Sequence, residues 1–392
     1  MSKKQTILIF LRYYLPGFQS GGPVRSVSNM VEHLSGTYNF RIITSDRDYL
    51  AHAPYPGLQD GWQTVGPADI LYLSPAEQTW KNMMRLARNM QADLIYLNSL
   101  FDPKFSLPVL AAKYCHSKDL PPVICAPRGE TSAGALSLKP LKKSLFLSLL
   151  RAARLPQHIT FHATAETEKA EIQACLGSVI EPYIAGNIAS QERRPPRSKG
   201  WLKQAVKGPL KIIFLSRIHP KKNLDFLLEC LQSFSQPAAL SVYGPIDDEA
   251  FWAACQTHIK SLPSHISVSY HGAIEHQQVA AAMQQHHLFF FPTRGENFGH
   301  VIHEAVQAGC VLLLSDQTPW QDLSENQVGW ALPLSNKQRF VDVLTDVAGW
   351  DEARWAAHEE AICSYASMTN IAGQNTQNHL GMFDKVAKLH GS

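Results

Sequence analysis

The sequence lacks the marks of several large protein classes. Its 392 residues include only seven cysteines, an odd number, widely spaced at 115, 125, 175, 230, 255, 310 and 363 with no C-x-x-C pair. This excludes a disulfide framework and the short-spaced zinc motifs, and it reads as reduced, mostly buried thiols in a cytosolic protein. No apolar run reaches ~18 residues, so no segment is expected to span a bilayer as a helix. The start "MSKKQTILIFLRYYLP" has lysines ahead of an apolar run, as a secretory signal does. However, "ILIFL" is too short for a signal core, and no small-residue cleavage site follows. The formal net charge is only +3, too little to imply a nucleic-acid partner. Also missing are a short-period repeat, the G-x-G-x-x-G dinucleotide fingerprint and the H-E-x-x-H zinc helix.

What is present is an ordinary globular balance of 45% apolar and 18% charged residues, in a chain long enough for two domains. Short runs rich in β-branched residues alternate with helical patterns. The first set is "TILIFL" (6–11), "FRIITS" (40–45), "DILYL" (69–73), "DLIYLNS" (93–99), "PVICAP" (122–127) and "ITFHATA" (159–165). The second is "KIIFLS" (211–216), "ALSVYG" (239–244), "ISVSYHG" (266–272), "HLFFFPT" (287–293) and "CVLLLSD" (310–316). Near-continuous hydrophobicity predicts strands covered on both faces, hence parallel sheets with helical crossovers. Between the sets, the basic, proline-bearing "SQERRPPRSKGWLKQAVKGP" reads as a linker. The expected architecture is two doubly wound α/β domains, whose ligands bind outside the carboxyl ends of the strands and in the cleft between them.

Four segments stand at such strand ends. In "RGENFGHVIHEAVQAG" (294–309) the spacing predicts a helix from about Gly299 to Ala308, closed by Gly309. Backbone N–H groups from Phe298 to Val301 would then form an anion site at its start. His300 and His303 are three apart rather than four, which argues against zinc and leaves them on the helix surface or at a domain boundary. Glu304 lies in the helix, where it either reaches a diol or is simply solvated. In "FLSRIHPKKNLDFLL" (214–228), Arg217, Lys221 and Lys222 stand between a strand and a helix starting near Asn223. They suit a diphosphate, or form a solvated basic loop. In "LPGFQSGGPVRS" (15–26), Gly21 and Gly22 open a helix and either admit a ligand close to the backbone or make a tight turn. In 125–155, Arg128, Gly129 and Glu130 end a strand. The stretch 136–155 then mixes leucines with Lys139, Lys142, Lys143, Arg151 and Arg154. It suits an anionic membrane surface, or a core helix with a basic solvent face.

In this order, the motifs resemble the retaining glycosyltransferases of group 1 (family four). "TRGENFGHVIHEAVQAGCVLLLSDQTPW" (293–320) is similar to the family's E-x7-E segment, with Glu296 and Glu304 as its glutamates. "SRIHPKKNLD" (216–225) resembles the donor-phosphate loop, "SGGPVRS" (20–26) the glycine-rich loop, and "YGP" (243–245) and "YHGAI" (270–274) further strand ends. The resemblance implies a GT-B fold, with two Rossmann-like domains facing a central cleft. The layout would be an acceptor-side domain over 1–188, a linker over 189–208, a nucleotide-sugar domain over 209–368, and a terminal helix over 369–392 crossing back to the first domain.

The activity implied is transfer of a sugar, with retention, from a UDP- or GDP-linked donor to a glycan or lipid-linked glycan. Bacterial exopolysaccharide, capsule or lipopolysaccharide would be the product, made in the cytoplasm or at the inner membrane face. Glu296, Arg217, Lys222 and Arg128 would be catalytic. Gly21, Gly22, Asn297, Phe298, Gly299 and Glu304 would bind the donor. No metal or other cofactor is expected, because fixed cations would neutralise the leaving diphosphate. Where many members have a histidine followed by glycine, this chain has Arg128, which cannot act as a base but can hold a phosphate or sugar. Two alternatives are a GT-B sugar-nucleotide epimerase and a non-catalytic partner subunit.

Overall fold

The computed structural model describes residues 4–58, 60–116, 119–136, 140–190, 206–369 and 372–388. Residues 191–205 of the expected linker and Lys139 lie outside them. The chain divides into two compact units: residues 1–190 with 371–392, and residues 191–370.

In the amino-terminal unit the apolar runs form β1 (Thr6–Phe10), β2 (Asn39–Ser45), β3 (Trp62–Val65), β4 (Ala68–Leu73), β5 (Leu94–Leu97), β6 (Val123–Cys125), β7 (Thr160–Ala163) and β8 (Tyr183–Ile184). They make one sheet in the order β3-β4-β2-β1-β5-β6-β7-β8. Strand side chains alternate between faces, and β1 is apolar on both. Leu8 and Phe10 join Leu97, Phe105 and Met83 on one side. Ile7 and Ile9 join Ile42, Val27 and Tyr96 on the other. The second face also takes Met382, Phe383 and Val386 from the helix Ala372–Lys388, and the Tyr38 hydroxyl bonds Asp384 of that helix at 2.5 Å.

The carboxy-terminal unit holds β9 (Leu210–Leu215), β10 (Ala238–Tyr243), β11 (Ile266–Tyr270), β12 (Leu288–Phe291), β13 (Val311–Ser315) and β14 (Gly329–Leu332). Their order is β11-β10-β9-β12-β13-β14, and every pairing is parallel. Helices Leu224–Gln232, Glu249–Lys260, His276–Gln284 and His300–Ala308 are the crossovers. Asp248 starts the second of these by accepting the Phe251 N–H at 2.9 Å, a cap worth about 1 kcal/mol.

Each sheet is doubly wound, and the strand order gives each a switch point where loops leave in opposite directions: β1/β5 in one unit and β9/β12 in the other. Three strands depart from the sequence reading. β3 pairs antiparallel with β4 at the sheet edge, and its part-exposed "WQTV" lacks an apolar run. β8 has only two residues. β14 begins at Gly329 and is mostly half-buried.

The interiors of both units enclose neutral histidines. In the amino-terminal unit, His162 Nε2 meets the Ala185 carbonyl at 2.8 Å and so carries the proton, leaving Nδ1 to accept from the Tyr96 hydroxyl at 2.8 Å. The rings of His162 and His379 contact edge-on at 5.1 Å. Burial pushes His162 well below the ordinary imidazole range, and pushes His379 and, in the other unit, His303 down to about 4. The unfolded chain would take up these protons near pH 6.5. Stability is therefore full above that pH and is lost as pH falls toward 4. The melting temperature should drop between pH 7 and pH 5, with a loss on the order of 2 kcal/mol at pH 5 for each of His303 and His379. His379→Phe should flatten its share of the slope, and a melting temperature constant from pH 7 to pH 5 would contradict this account.

Candidate active site

At the β9/β12 switch point, two loops from opposite directions are stitched together. After β9 the chain makes a single 3-10 turn, Pro220–Lys222, and Asn223 takes a left-handed conformation (φ 63°) before the helix Leu224–Gln232. Buried Asn223 donates to the Pro292 carbonyl at 2.9 Å and accepts from Arg294 Nε at 3.0 Å. The Arg294 N–H returns to the Lys221 carbonyl at 2.8 Å. Across this seam the Lys222 ammonium meets Glu296 Oε2 at 2.6 Å, with side-chain exposures of 14% and 20%. Lys222 also lies over the Phe291 ring at 5.2 Å.

Arg217, at the end of β9, pairs with Asp247 at 2.8 Å. Lys221 is held below the ordinary lysine range, first by desolvation and then by the cations Lys222 and Arg217, with Glu296 opposing. Three cations thus gather at one strand end, with Arg217 and Lys222 each already paired with a carboxylate.

The loop carrying Glu296 is clamped from β13. Glu296 N–H donates to the Gln317 carbonyl at 3.0 Å, and Trp320 Nε1 donates to the Phe298 carbonyl at 2.8 Å. Gly299 is left-handed (φ 78°, ψ 59°) and starts the helix His300–Ala308, which ends at Gly309. A Cβ on Gly299 would meet Ile302 Cδ1 at 2.6 Å. Asn297 and Phe298 lie between Glu296 and this helix start, whose first N–H groups have no acceptor within the helix. Glu304, at 17% side-chain exposure, stands 3.9 Å from His276 Nδ1 of the preceding crossover helix. His303 is buried, its ring 6.4 Å from Trp320, and so is not at the surface as its spacing suggested. His300 rests edge-on against Phe298 at 4.7 Å.

The amino-terminal unit presents its own strand ends. The loop after β1 is held by Asp48, which accepts the N–H groups of Phe18 at 2.9 Å and Gln19 at 3.2 Å. Gly21 (φ 79°, ψ −137°) precedes the helix Gly22–Leu34, and the space where its Cβ would be is open to 4 Å. Arg128, left-handed at φ 56°, directs its guanidinium to neutral acceptors: Nε to Asn98 Oδ1 at 2.9 Å, one terminal nitrogen to the Tyr96 oxygen at 2.8 Å, and the other to Asn187 Oδ1. Among the described residues it has no ion-pair partner. Three of its five N–H groups are used, which leaves two without an acceptor among the described residues. Glu130, next but one, does not face it; it accepts from Ser99 and from the N–H groups of Leu100 and Phe101, bracing the loop after β5.

The structure therefore gathers Arg217, Lys221, Lys222, Glu296 and the Gly299 helix start in one unit, and sets Gly21, Gly22 and Arg128 on strand-end loops of the other. The sequence reading missed the supports: Asn223, Asp247, Asn98, Asn187 and Tyr96. Their only trace is a polar residue in or after a strand, or, for Asn223, at a helix start.

Residues 202–361 match the family model described as glycosyl transferases group 1, so the resemblance read from the motifs holds over that segment. No curated protein matches the chain in sequence. Solved structures of similar fold include Anabaena Alr3699/HepE in complex with UDP and glucose (13% identity over 97% of this chain and 100% of that one, TM-score 0.71). WaaG, a glycosyltransferase involved in lipopolysaccharide biosynthesis, is similar at 15% identity over 95% of this chain and 98% of that one, with a TM-score of 0.67. The sucrose-phosphate synthase of Thermosynechococcus elongatus is similar at 14% identity over 98% and 100%, with a TM-score of 0.70. At these identities the likeness is one of fold: the chain has the GT-B fold of these proteins.

One backbone crossing fixes the β9 end. At Gly244 (φ 134°) a Cβ would sit 1.9 Å from the Ser216 carbonyl oxygen, next to Arg217. Gly244→Ala should cost on the order of 3 kcal/mol and lower the melting temperature. A variant as stable as the parent would show that this crossing has slack.

Proposed function

We propose that this chain, whose residues 202–361 match the group 1 glycosyl transferase family model, moves a sugar from a nucleotide-sugar donor to a hydroxyl of a glycan or lipid-linked glycan, with retention of configuration. The observation that carries the reading is the cation cluster at the β9/β12 switch point, with Glu296 bound to Lys222 at 2.6 Å and a helix start beside it. When the bond from the anomeric carbon to the diphosphate breaks, negative charge develops on the leaving oxygen. Arg217 and Lys222 are already in place to stabilise it, so little reorganisation is needed. The acceptor oxygen bonds the anomeric carbon, and its proton passes to the leaving phosphate. No residue need act as base, which suits a chain with Arg128 where a histidine is common. On this reading fixed cations take the place of a metal ion.

Glu296, oriented by Lys222, holds donor-sugar hydroxyls. Glu304 accepts from the ribose diol. Asn297, Phe298 and Gly299 offer backbone to sugar and phosphate. Gly21 and Gly22 let backbone approach the diphosphate, and Arg128 offers its two remaining donors to a phosphate or sugar. A uridine donor is favoured by the complexes of HepE with UDP and with UDP-glucose. The part of WaaG in lipopolysaccharide biosynthesis favours a bacterial surface polysaccharide as product. Catalysis would then take place in the cytoplasm or at the inner face of the membrane.

A thermal-shift screen of UDP- and GDP-sugars should raise the melting temperature with one donor class. Glu304→Ala should weaken that binding about tenfold, the scale of one lost charge-assisted hydrogen bond. Lys222→Ala should lower kcat about a hundredfold or more, as for loss of a preorganised charge contact. If no nucleotide sugar is bound and Glu304→Ala changes nothing, the reading fails. An epimerised nucleotide sugar formed without acceptor would replace it with the epimerase.

A further inference from the structure

The helix Pro140–Ala152 has two apolar sides. Leu147 and Leu150 are buried in the core of the amino-terminal unit, with Phe146 packed against it. Lys143 also turns inward, donating to the Ala135 carbonyl at 2.6 Å and lying over the Phe101 ring at 5.1 Å. On the opposite side, Leu141, Leu145 and Leu149 recur every four residues and are 86%, 64% and 60% exposed. At 100° per residue they form one stripe, with Ala152 on its line and Lys142 and Arg151 at its two margins. Other exposed large apolar residues, such as Leu50, Trp80, Tyr114 and Val179, are scattered singly and need no partner. This is the one helix among the described residues that aligns three.

Charge selects the occupant. From residue 131 to residue 165 the sequence has no Asp or Glu, against Lys139, Lys142, Lys143, Arg151 and Arg154. A second copy would bring the same basic margins against each other. Three leucines offer a few hundred Å² at most, well short of the roughly 1,200 Å² that a stable specific interface buries. An anionic bilayer suits both parts, since leucines enter the acyl boundary while the flanking cations meet phosphate headgroups. No helix among the described residues is long and apolar enough to cross a membrane, so the contact would be monotopic.

We infer that the Leu141–Leu145–Leu149 face of this helix, margined by Lys142 and Arg151, docks the protein on an anionic lipid surface. The inference does not require the proposed activity. If that activity holds, the face has a further use. The helix is tied through Lys143 and Phe146 to Phe101, in the loop after β5, and Phe101 N–H is held by Glu130, two residues beyond Arg128. A lipid-linked acceptor in the same bilayer would then lie close to the strand-end loops of this unit.

The test is co-sedimentation of the full chain with vesicles of phosphatidylcholine, with or without phosphatidylglycerol, at low and high salt. Binding is expected on the anionic vesicles only, and should fall with salt as exposed charges are screened. The combined variant Leu141→Ser/Leu145→Ser/Leu149→Ser should bind about tenfold more weakly or worse while melting normally, since these side chains leave the core untouched. Lys142→Glu/Arg151→Glu, which keeps the leucines, should also lose binding. The inference is overturned if the parent fails to sediment with anionic vesicles at low salt, or if both variants bind as the parent does. It is also overturned if sedimentation velocity reveals a dimer that the leucine variant abolishes, for the face would then belong to a second copy. No donor enters this assay, so its failure leaves the transferase reading standing, and a failed donor screen leaves the vesicle result standing.

Discussion

The carboxy-terminal site depends on one ion pair placed where its sheet changes direction. Lys222 comes from the loop after β9 and Glu296 from the loop after β12, and they meet at 2.6 Å across the switch point. Neither loop would hold its partner alone. Asn223 and Arg294 join the two backbones beneath the pair, while Gln317 and Trp320 hold the Glu296 side from β13. At 14% and 20% side-chain exposure the pair bears much of the desolvation cost of a buried ion pair. A preset geometry helps to offset that cost. The same geometry keeps Lys221 and Arg217 close to Lys222.

The amino-terminal unit uses a different device. Arg128 donates to Tyr96, Tyr96 to His162, and His162 to the Ala185 carbonyl. Every link in this chain runs in one direction, and it requires His162 to be neutral. A proton on Nδ1 would face the tyrosine hydroxyl hydrogen and break the order. The guanidinium is therefore oriented by neutral groups, and its charge is not spent on a carboxylate. That separation of orientation from neutralisation distinguishes it from Arg217, whose charge is already shared with Asp247.

Much of this was legible in the sequence because it rests on local chemistry. Runs such as "TILIFL" and "HLFFFPT" become β1 and β12 because both faces of each are covered. The helix read as Gly299 to Ala308 runs His300–Ala308, because the glycines at 299 and 309 supply left-handed ends that local spacing discloses. The illegible part rests on tertiary contacts. Glu296 and Lys222 are 74 positions apart, and Arg128 and Asn187 are 59 apart. No short-range pattern records such meetings. His303 misled for the same reason: a polar residue on a helix suggests a surface, but here it is buried, with Trp320 from the loop after β13 beside it.

The helix Ala372–Lys388 has a consequence for how the chain is made. Its Met382, Phe383 and Val386 complete the apolar face beside Ile7 and Ile9, and its Asn375 donates to the Asn187 carbonyl, next to the side chain that orients Arg128. Domains usually fold in the order of their synthesis. Here the apolar face of the amino-terminal unit is completed only once residues 372–388 have been made, after the strands of the other unit. Completion of the Arg128 surroundings is thereby tied to synthesis of this helix, and a chain cut short before residue 372 would carry the Lys222–Glu296 pair without a finished amino-terminal unit.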